Sequence, residues 1–378
     1  MALTNINRDC RFTKYLINLK TFDSKPFSVV DVGARGGFES HWSIYDDQIR
    51  LVGFETDLEE FNKLIQQDPN TNNHYFSVAL GQKIGRQTFY VTAYPSSSGF
   101  YQSDMNFWRR FPDELNVDTV NTIEVDTVDF DSLAINNHID YVDFIKLDTE
   151  GSELDILKGT IVTLKKSVIG LSIEVEFPQS HIGQPVFSDV DSFLRGLGFI
   201  LYDLSYYRHS KKALPEPRWL GQVPGATNRG QILWGQALYL RDAVNEINYS
   251  NNIEDGWNDL NILKLASFFE LHTLPDCAIE LLQVARQKSF LGSLDTDHLI
   301  DLLVPRTVNK TFSRYWVTKK KELSYSEYME KIAIVGSLNV PSIRNHIFPI
   351  QIVPQSIRHL IRICLTQIRN SIEKVLIF

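Results

Sequence analysis

Acidic side chains crowd two short stretches of this 378-residue chain. Asp148, Glu150 and Glu153 fall within six residues, and Glu174 and Glu176 alternate inside an apolar run, followed by His181. A carboxylate or an imidazole can take the proton of a hydroxyl as its oxygen attacks an electrophile. Asp148, Glu150, Glu176 and His181 are therefore the candidates for a general base. Asp148, Glu174 and Glu176 also offer hard oxygen atoms, so a divalent cation such as magnesium, held there, could lower the pKa of an acceptor hydroxyl. The plainer readings stand beside these. Asp148 suits a helix N-cap, Glu150 a favourable first-turn charge, and His181 an ordinary loop hydrogen bond. Three acids in six residues exceed what capping requires, and carboxylates inside an apolar strand are rare unless paired or functional.

A second group of residues could hold a nucleotide-like cofactor. Phe27, Val29, Val30 and Val32 form a short β-branched run, with Asp31 near its end and Gly33, Gly36 and Gly37 just after. Glycines there let the backbone turn sharply and approach a ligand. The dinucleotide fingerprint fails, because Arg35 and Phe38 stand where its second and third glycines belong, and no Gly-Lys-Ser/Thr triplet makes a P-loop. What remains is Asp-x-Gly-x-x-x-Gly, which resembles the donor loop of the class I S-adenosylmethionine-dependent methyltransferases. Glu55, 24 residues after Asp31, ends the run Leu51-Val52-Gly53-Phe54. A carboxylate at that strand end can accept from both ribose hydroxyls. The alternative is a glycine turn of any doubly wound fold, with Glu55 solvated. The resemblance implies cofactor contacts at Asp31, Gly33, Arg35, Gly37, Glu55, Thr56 and Asp148, with Ser77 and Ala79 flanking the adenine.

The elements that must carry these residues alternate between strand and helix. Periodicity predicts an N-terminal amphipathic helix on Phe12, Leu16 and Leu19 that caps the first domain, a helix over residues 58–67 with Asp57 as N-cap, and a third strand over 75–80. Residues 81–128, with a hairpin and an aromatic, charged loop, are too long for a simple connection and read as an insertion over the site that shapes the substrate pocket. Strands follow over 141–147, 168–177, 199–204 and 232–240, with residues 205–228 as a polar loop.

Length favours two domains. We place the boundary at 1–242 and 243–378. The net charge of −8 gives no basic footprint for nucleic acid. Three scattered cysteines make neither a disulfide framework nor a metal cluster, the first twenty residues do not read as a signal peptide, and no apolar stretch reaches membrane length, so a cytoplasmic location is expected.

The run from Asp143 to Asp155, Asp-Phe-Ile-Lys-Leu-Asp-Thr-Glu-Gly-Ser-Glu-Leu-Asp, is similar to the hallmark of the FkbM-type methyltransferases. So are Leu157-Lys158-Gly159, the Glu-x-Glu of Glu174 and Glu176, and Gly183-Gln184-Pro185 with the helix and strand beyond it. The resemblance spans roughly residues 28–240. It departs at Arg35, where the family usually has Asn. It implies an α/β fold with a class I methyltransferase, Rossmann-like seven-stranded sheet whose last strand is antiparallel. It also implies an S-adenosylmethionine-dependent O-methyltransferase acting on a hydroxyl of a sugar, glycan or similar metabolite. The alternative is a non-catalytic methyltransferase-like module that binds a glycan or a partner. A nicotinamide oxidoreductase comes third, weakened by Arg35 and Phe38.

From Ala243 onward the pattern becomes helical, with apolar periodicity over 262–271 and 278–285 and a proline-bearing linker over 340–354. Residues 357–378 read as a basic amphipathic helix. We expect it to pack on its own chain or on a second subunit, as an accessory or homo-oligomerisation element, in preference to a membrane surface.

Overall fold

A computed structural model of the chain describes residues 6–68, 70, 73–214, 229–249 and 256–305. The linker over 340–354 and the basic helix over 357–378 lie outside the described residues. Residues 1–305 cluster as one compact unit.

Ten strands are present among the described residues: β1 (Phe27–Val32), β2 (Ile49–Phe54), β3 (His74–Phe76), β4 (Ala79–Leu80), β5 (Gly85–Thr92), β6 (Thr119–Val128), β7 (Phe144–Leu147), β8 (Gly170–Glu176), β9 (Phe199–His209) and β10 (Gln231–Arg241). Seven of them form one sheet in the order β3-β2-β1-β7-β8-β10-β9. β10 runs antiparallel to both neighbours, and the remaining pairings are parallel. This is the expected class I methyltransferase sheet with its reversed last strand. β1, β7 and β8 are buried along their whole length, which is why they read as continuous apolar runs instead of alternating ones. The core under them joins Val30, Val32, Ile145, Leu147, Leu171 and Ile173.

Two strand assignments need correction. Residues 75–80 are not one strand. β2 ends at Phe54, paired with Phe76, so nothing remains for the chain to pair with beyond that point. It crosses instead to β6, and β4 joins a separate three-stranded sheet, β4-β6-β5, built from the insertion. The strand expected to stop at Leu204 continues to His209, because β10 provides ladder partners as far as Gln231. Most of the polar residues there are half-exposed and cost little in a sheet edge.

The helices are α1 (Arg11–Asn18), α2 (Leu58–Gln67), α3 (Met105–Trp108), α4 (Phe130–Asn136), α5 (Glu153–Lys158), α6 (Ile161–Lys166), α7 (Phe187–Arg195), α8 (Ala243–Tyr249), α9 (Asp259–Leu271), α10 (Pro275–Gln287) and α11 (Thr296–Leu303). α9 is capped by the Asn258 side chain, which accepts from Asn261 N, and it is buried continuously from Ile262 to Leu271. A helix buried all round lies inside a core. Phe268 packs on the rings of Phe27 and Phe144, with centroids 5.3 and 5.1 Å apart. α1 has no side-chain cap of its own. Glu270 of α9 supplies one, accepting from Phe12 N at 3.0 Å and Thr13 N at 2.8 Å. The N-terminal helix is thus completed by a residue of the C-terminal helices. Among the described residues no helix is long and apolar enough to cross a membrane.

Candidate active site

The carboxyl ends of β1, β2, β7 and β8 open on one cavity of about 820 Å³. Open α/β sheets bind ligands at that end. The turn after β1 is held rigidly, because Gly33 N and Ala34 N both donate to Phe54 O, at 3.1 and 3.0 Å. Gly33 has φ +83°, and a Cβ there would stand 2.0 Å from the Asp148 carbonyl oxygen. Only glycine permits that approach between the β1 and β7 turns.

Asp31 lies under the turn, 1% exposed, and does not line the cavity. Its in-register partner across the β1–β7 pair is Lys146, whose Nζ is 3.1 Å from Asp31 Oδ1 and 3.8 Å from Asp148 Oδ2. Burial pushes the Asp31 carboxyl up to about 6 against the pull of Lys146. Burial opposes the Lys146 charge, yet the two aspartates lift its pKa to about 12. Lys146 therefore stays an ammonium on the cavity wall. It is absent from the candidates read from sequence. A lysine between Ile145 and Leu147 in a buried strand is the signal that marks it.

Asp148, Thr149 and Glu150 form the β7–α5 turn, and all three line the cavity. Glu150 takes the left-handed conformation, φ +56°, followed by Gly151 at +108°. Glu153 fixes this turn. Its Oε1 accepts from Thr149 N at 2.7 Å, Thr149 Oγ1 at 2.9 Å and Gly151 N at 3.3 Å. Burial, then the charges of Asp148 and Glu153, push the Glu150 carboxyl up to about 8. Glu174 reaches the same cavity from β8, near Asp148. Burial and the neighbouring Asp148, Glu150 and Glu176 hold Glu174 well above the usual carboxylate range. Neighbouring carboxylates disfavour one another's charge, so the more deeply buried Glu174 is the one that keeps its proton. Glu174 Oε2 is buried without a hydrogen-bond partner.

Glu176 and His181 stand apart from the cavity wall. Burial, then Glu150 and Glu153, raise the Glu176 carboxyl, which accepts from Ser180 Oγ at 3.5 Å. His181 Nδ1 is 3.0 Å from Ser180 Oγ and 3.2 Å from Gln184 Oε1, and burial lowers its pKa. Both sit in a polar pocket behind the turn. Among the described residues no group of three or more His, Cys, Asp or Glu side chains is arranged to hold a metal ion, so Asp148, Glu174 and Glu176 do not assemble the ligand set offered for magnesium.

At the opposite corner Glu55 is 6% exposed, and its Oε1 accepts from Asp57 N at 2.8 Å. Arg35 Nη2 is 2.9 Å from Asp57 Oδ2, and Arg35 Nε is 3.9 Å from Glu55 Oε2. Asp57 also caps α2, accepting from Glu59 N. Gly37, Thr56 and Ala79 line this part of the cavity with Val78 and Leu80, whereas Ser77 does not. The insertion supplies the remaining wall. Phe89 and Val91 of β5 and Ile123 and Val125 of β6 share a face toward the cavity, with Tyr94 and Phe100 beside them. The segment that follows is latched to the loop after β8, through Ile182 N donating to Gln102 O at 2.8 Å and Asp104 N donating to Ser180 O at 3.0 Å.

Residues 31–201 match the model of the methyltransferase FkbM domain. No curated protein matches the sequence. Among solved structures, magnesium protoporphyrin IX methyltransferase from Synechocystis PCC 6803, with bound SAM, is similar over 61% of this chain and 78% of its own, at 9% identity and a TM-score of 0.30. An S-adenosylmethionine-dependent methyltransferase from Anabaena variabilis is similar over 63% of this chain and 88% of its own, at 8% identity and a TM-score of 0.30. The 1,6-didemethyltoxoflavin-N1-methyltransferase of Burkholderia thailandensis is similar over 62% and 78%, at 12% identity and a TM-score of 0.26.

Proposed function

We propose that this methyltransferase, whose residues 31–201 are an FkbM domain, uses S-adenosylmethionine to methylate a hydroxyl of a sugar, glycan or similarly hydroxylated metabolite. The observation that carries this reading is the single cavity shared by the glycine turn, Glu55 and the acids Asp148, Glu150 and Glu174. The residues fit the donor. Gly33 and Gly37 line the cavity in a turn closed against the Asp148 carbonyl, Glu55 offers two oxygens to a ribose diol, and Val78, Ala79 and Leu80 offer an apolar slot for a purine.

When bound, S-adenosylmethionine supplies an electrophilic methyl group on a sulfonium. The protein must then orient one hydroxyl and remove its proton. Glu150 is our base: it faces the cavity, and its carboxyl titrates near working pH, where a base is most effective. Asp148, held by Lys146, accepts from the acceptor and sets its position. Phe89 and Phe100, packed edge to face with centroids 5.2 Å apart, give an apolar wall for the C–H groups of a saccharide while the acids take its hydroxyls.

The test is calorimetric titration with S-adenosylhomocysteine, with and without EDTA, then a screen of sugar acceptors with and without magnesium. Micromolar binding and turnover on a hydroxylated acceptor support the proposal. Binding with no turnover on any acceptor favours the non-catalytic module, and no binding by folded protein removes the donor site.

A further inference from the structure

Glu150 keeps φ at +56° and Gly151 at +108°. A residue with a side chain holds such an angle only where its surroundings over-determine it. Glu153 provides one restraint from inside the turn, through its bonds to Thr149 N and Gly151 N. Two further restraints come from segments distant in sequence.

The insertion provides the first. Gly99 is tied to Tyr90 of β5 by two backbone bonds, at 2.8 and 3.2 Å. A Cβ on Gly99 would stand 3.0 Å from the Glu150 carbonyl oxygen and 3.6 Å from Glu150 Cβ, so bare backbone lies directly on Glu150. Gln184, in the loop after β8, provides the second. It is 2% exposed, and its Oε1 accepts from Ser180 Oγ at 3.1 Å and from His181 N at 3.2 Å. The other end of the amide faces the acidic turn. A Cβ on Gly151 would meet Gln184 Nε2 at 2.5 Å, Cδ at 3.1 Å and Cγ at 3.2 Å. The glutamine therefore fills the space in which a side chain at position 151 would lie. Its Nε2 is buried without a hydrogen-bond partner, so it supports the turn by contact alone. The two outer restraints are also joined to each other, because Ser103 and His181 pair as an antiparallel bridge.

We propose that Gln184 is a positioning residue, which props the Gly151 side of the turn and so keeps the Glu150 carboxyl in place on the cavity wall. This rests on the reading of Glu150 as the base. Glu150 lines the cavity and Gln184 does not, so the glutamine acts through the acid and not on a ligand.

The experiment titrates the Glu150 carboxyl by difference infrared spectroscopy on the full chain, with its signal assigned by loss in Glu150→Gln. No acceptor is needed. In the wild type that titration falls at about 8. Gln184→Ala empties the space beside Gly151, so the turn relaxes, water reaches the carboxyl, and the titration moves to lower pH by roughly one pH unit. Gln184→Asn, a milder truncation that folds more readily, moves it part of the way. Gln184→Glu keeps the size and the Oε1 acceptor and does not move it to lower pH. Truncations that lower the unfolding temperature but leave the titration in place make Gln184 a structural residue and overturn the proposal. So does a downward move of equal size in Gln184→Glu. A wild type with no signal near 8 that Glu150→Gln removes overturns the reading of Glu150 as the base instead.

Discussion

Lys264 Nζ of α9 lies 2.7 Å from Asp143 Oδ2 at the foot of β7 and 2.8 Å from the Pro26 carbonyl before β1, with the lysine side chain fully buried. Asp143 Oδ2 also accepts from Ser28 N. One ion pair thus bolts a C-terminal helix under the two strands that carry the glycine turn and the acidic turn. Breaking a buried pair from one side leaves a charge unpaired and costs about 3–5 kcal/mol. Lys264→Met and Asp143→Ala are each expected to lower the unfolding free energy by that much in urea titrations. The double variant should lose less than the sum. Two near-neutral single variants would show that the pair holds nothing together.

Gly33→Ala puts a methyl group against the Asp148 carbonyl at a backbone angle that costs a side-chain-bearing residue roughly 1–2 kcal/mol before any clash. The two turns must then separate. Calorimetry should find donor-product binding lost in a protein that still shows native far-UV dichroism. Unchanged affinity would mean the turns do not need their close contact.

Glu150→Gln keeps the shape and removes the base. Methyl transfer should fall about 10²–10⁴-fold, the usual contribution of a positioned proton acceptor. In the wild type the rate should rise with pH toward about 8 and then level off, because the carboxyl must lose its proton to act. The profile of the Glu150→Gln variant should lack that rise. A wild-type rate that is flat from acid to alkaline pH would move the base elsewhere.

Stability carries the same signature with the opposite slope. Glu150 keeps its proton up to about 8 in the folded state, against an ordinary value of 4.5, and Glu174 and Glu176 are displaced in the same direction. A folded-state pKa above the unfolded one contributes stability that is present at low pH and lost as pH rises through the folded value. For Glu150 the loss falls between 4.5 and about 8. Unfolding free energy measured across that window should decline, and Glu174→Gln with Glu176→Gln should flatten the decline. A slope of opposite sign would mean that these acids are ionised and paired.

Much of this arrangement is readable from residue types alone. A β-branched run followed by Gly33, Gly36 and Gly37 has few structural uses, and the Asp148–Glu153 turn is equally distinctive. The break between β3 and β4 is not readable, because it depends on where β2 runs out of partners, and that lies about twenty residues away in sequence. The full burial of α9 cannot be inferred from its period, since Lys264, Ser267 and Glu270 read as a solvated face but are buried on partners distant in sequence.

The cap that Glu270 gives to Phe12 and Thr13 joins positions 258 and 257 residues apart. On a ribosome the chain emerges from its beginning, so α1 has to wait, with its first amides unsatisfied, until α9 has left the exit tunnel. The donor turn and its strand are made early, yet their foot is secured only when Lys264 arrives. Contacts this distant slow folding and leave apolar surface open in the meantime. Helix α1 therefore needs protection during synthesis until Glu270 closes its first turn.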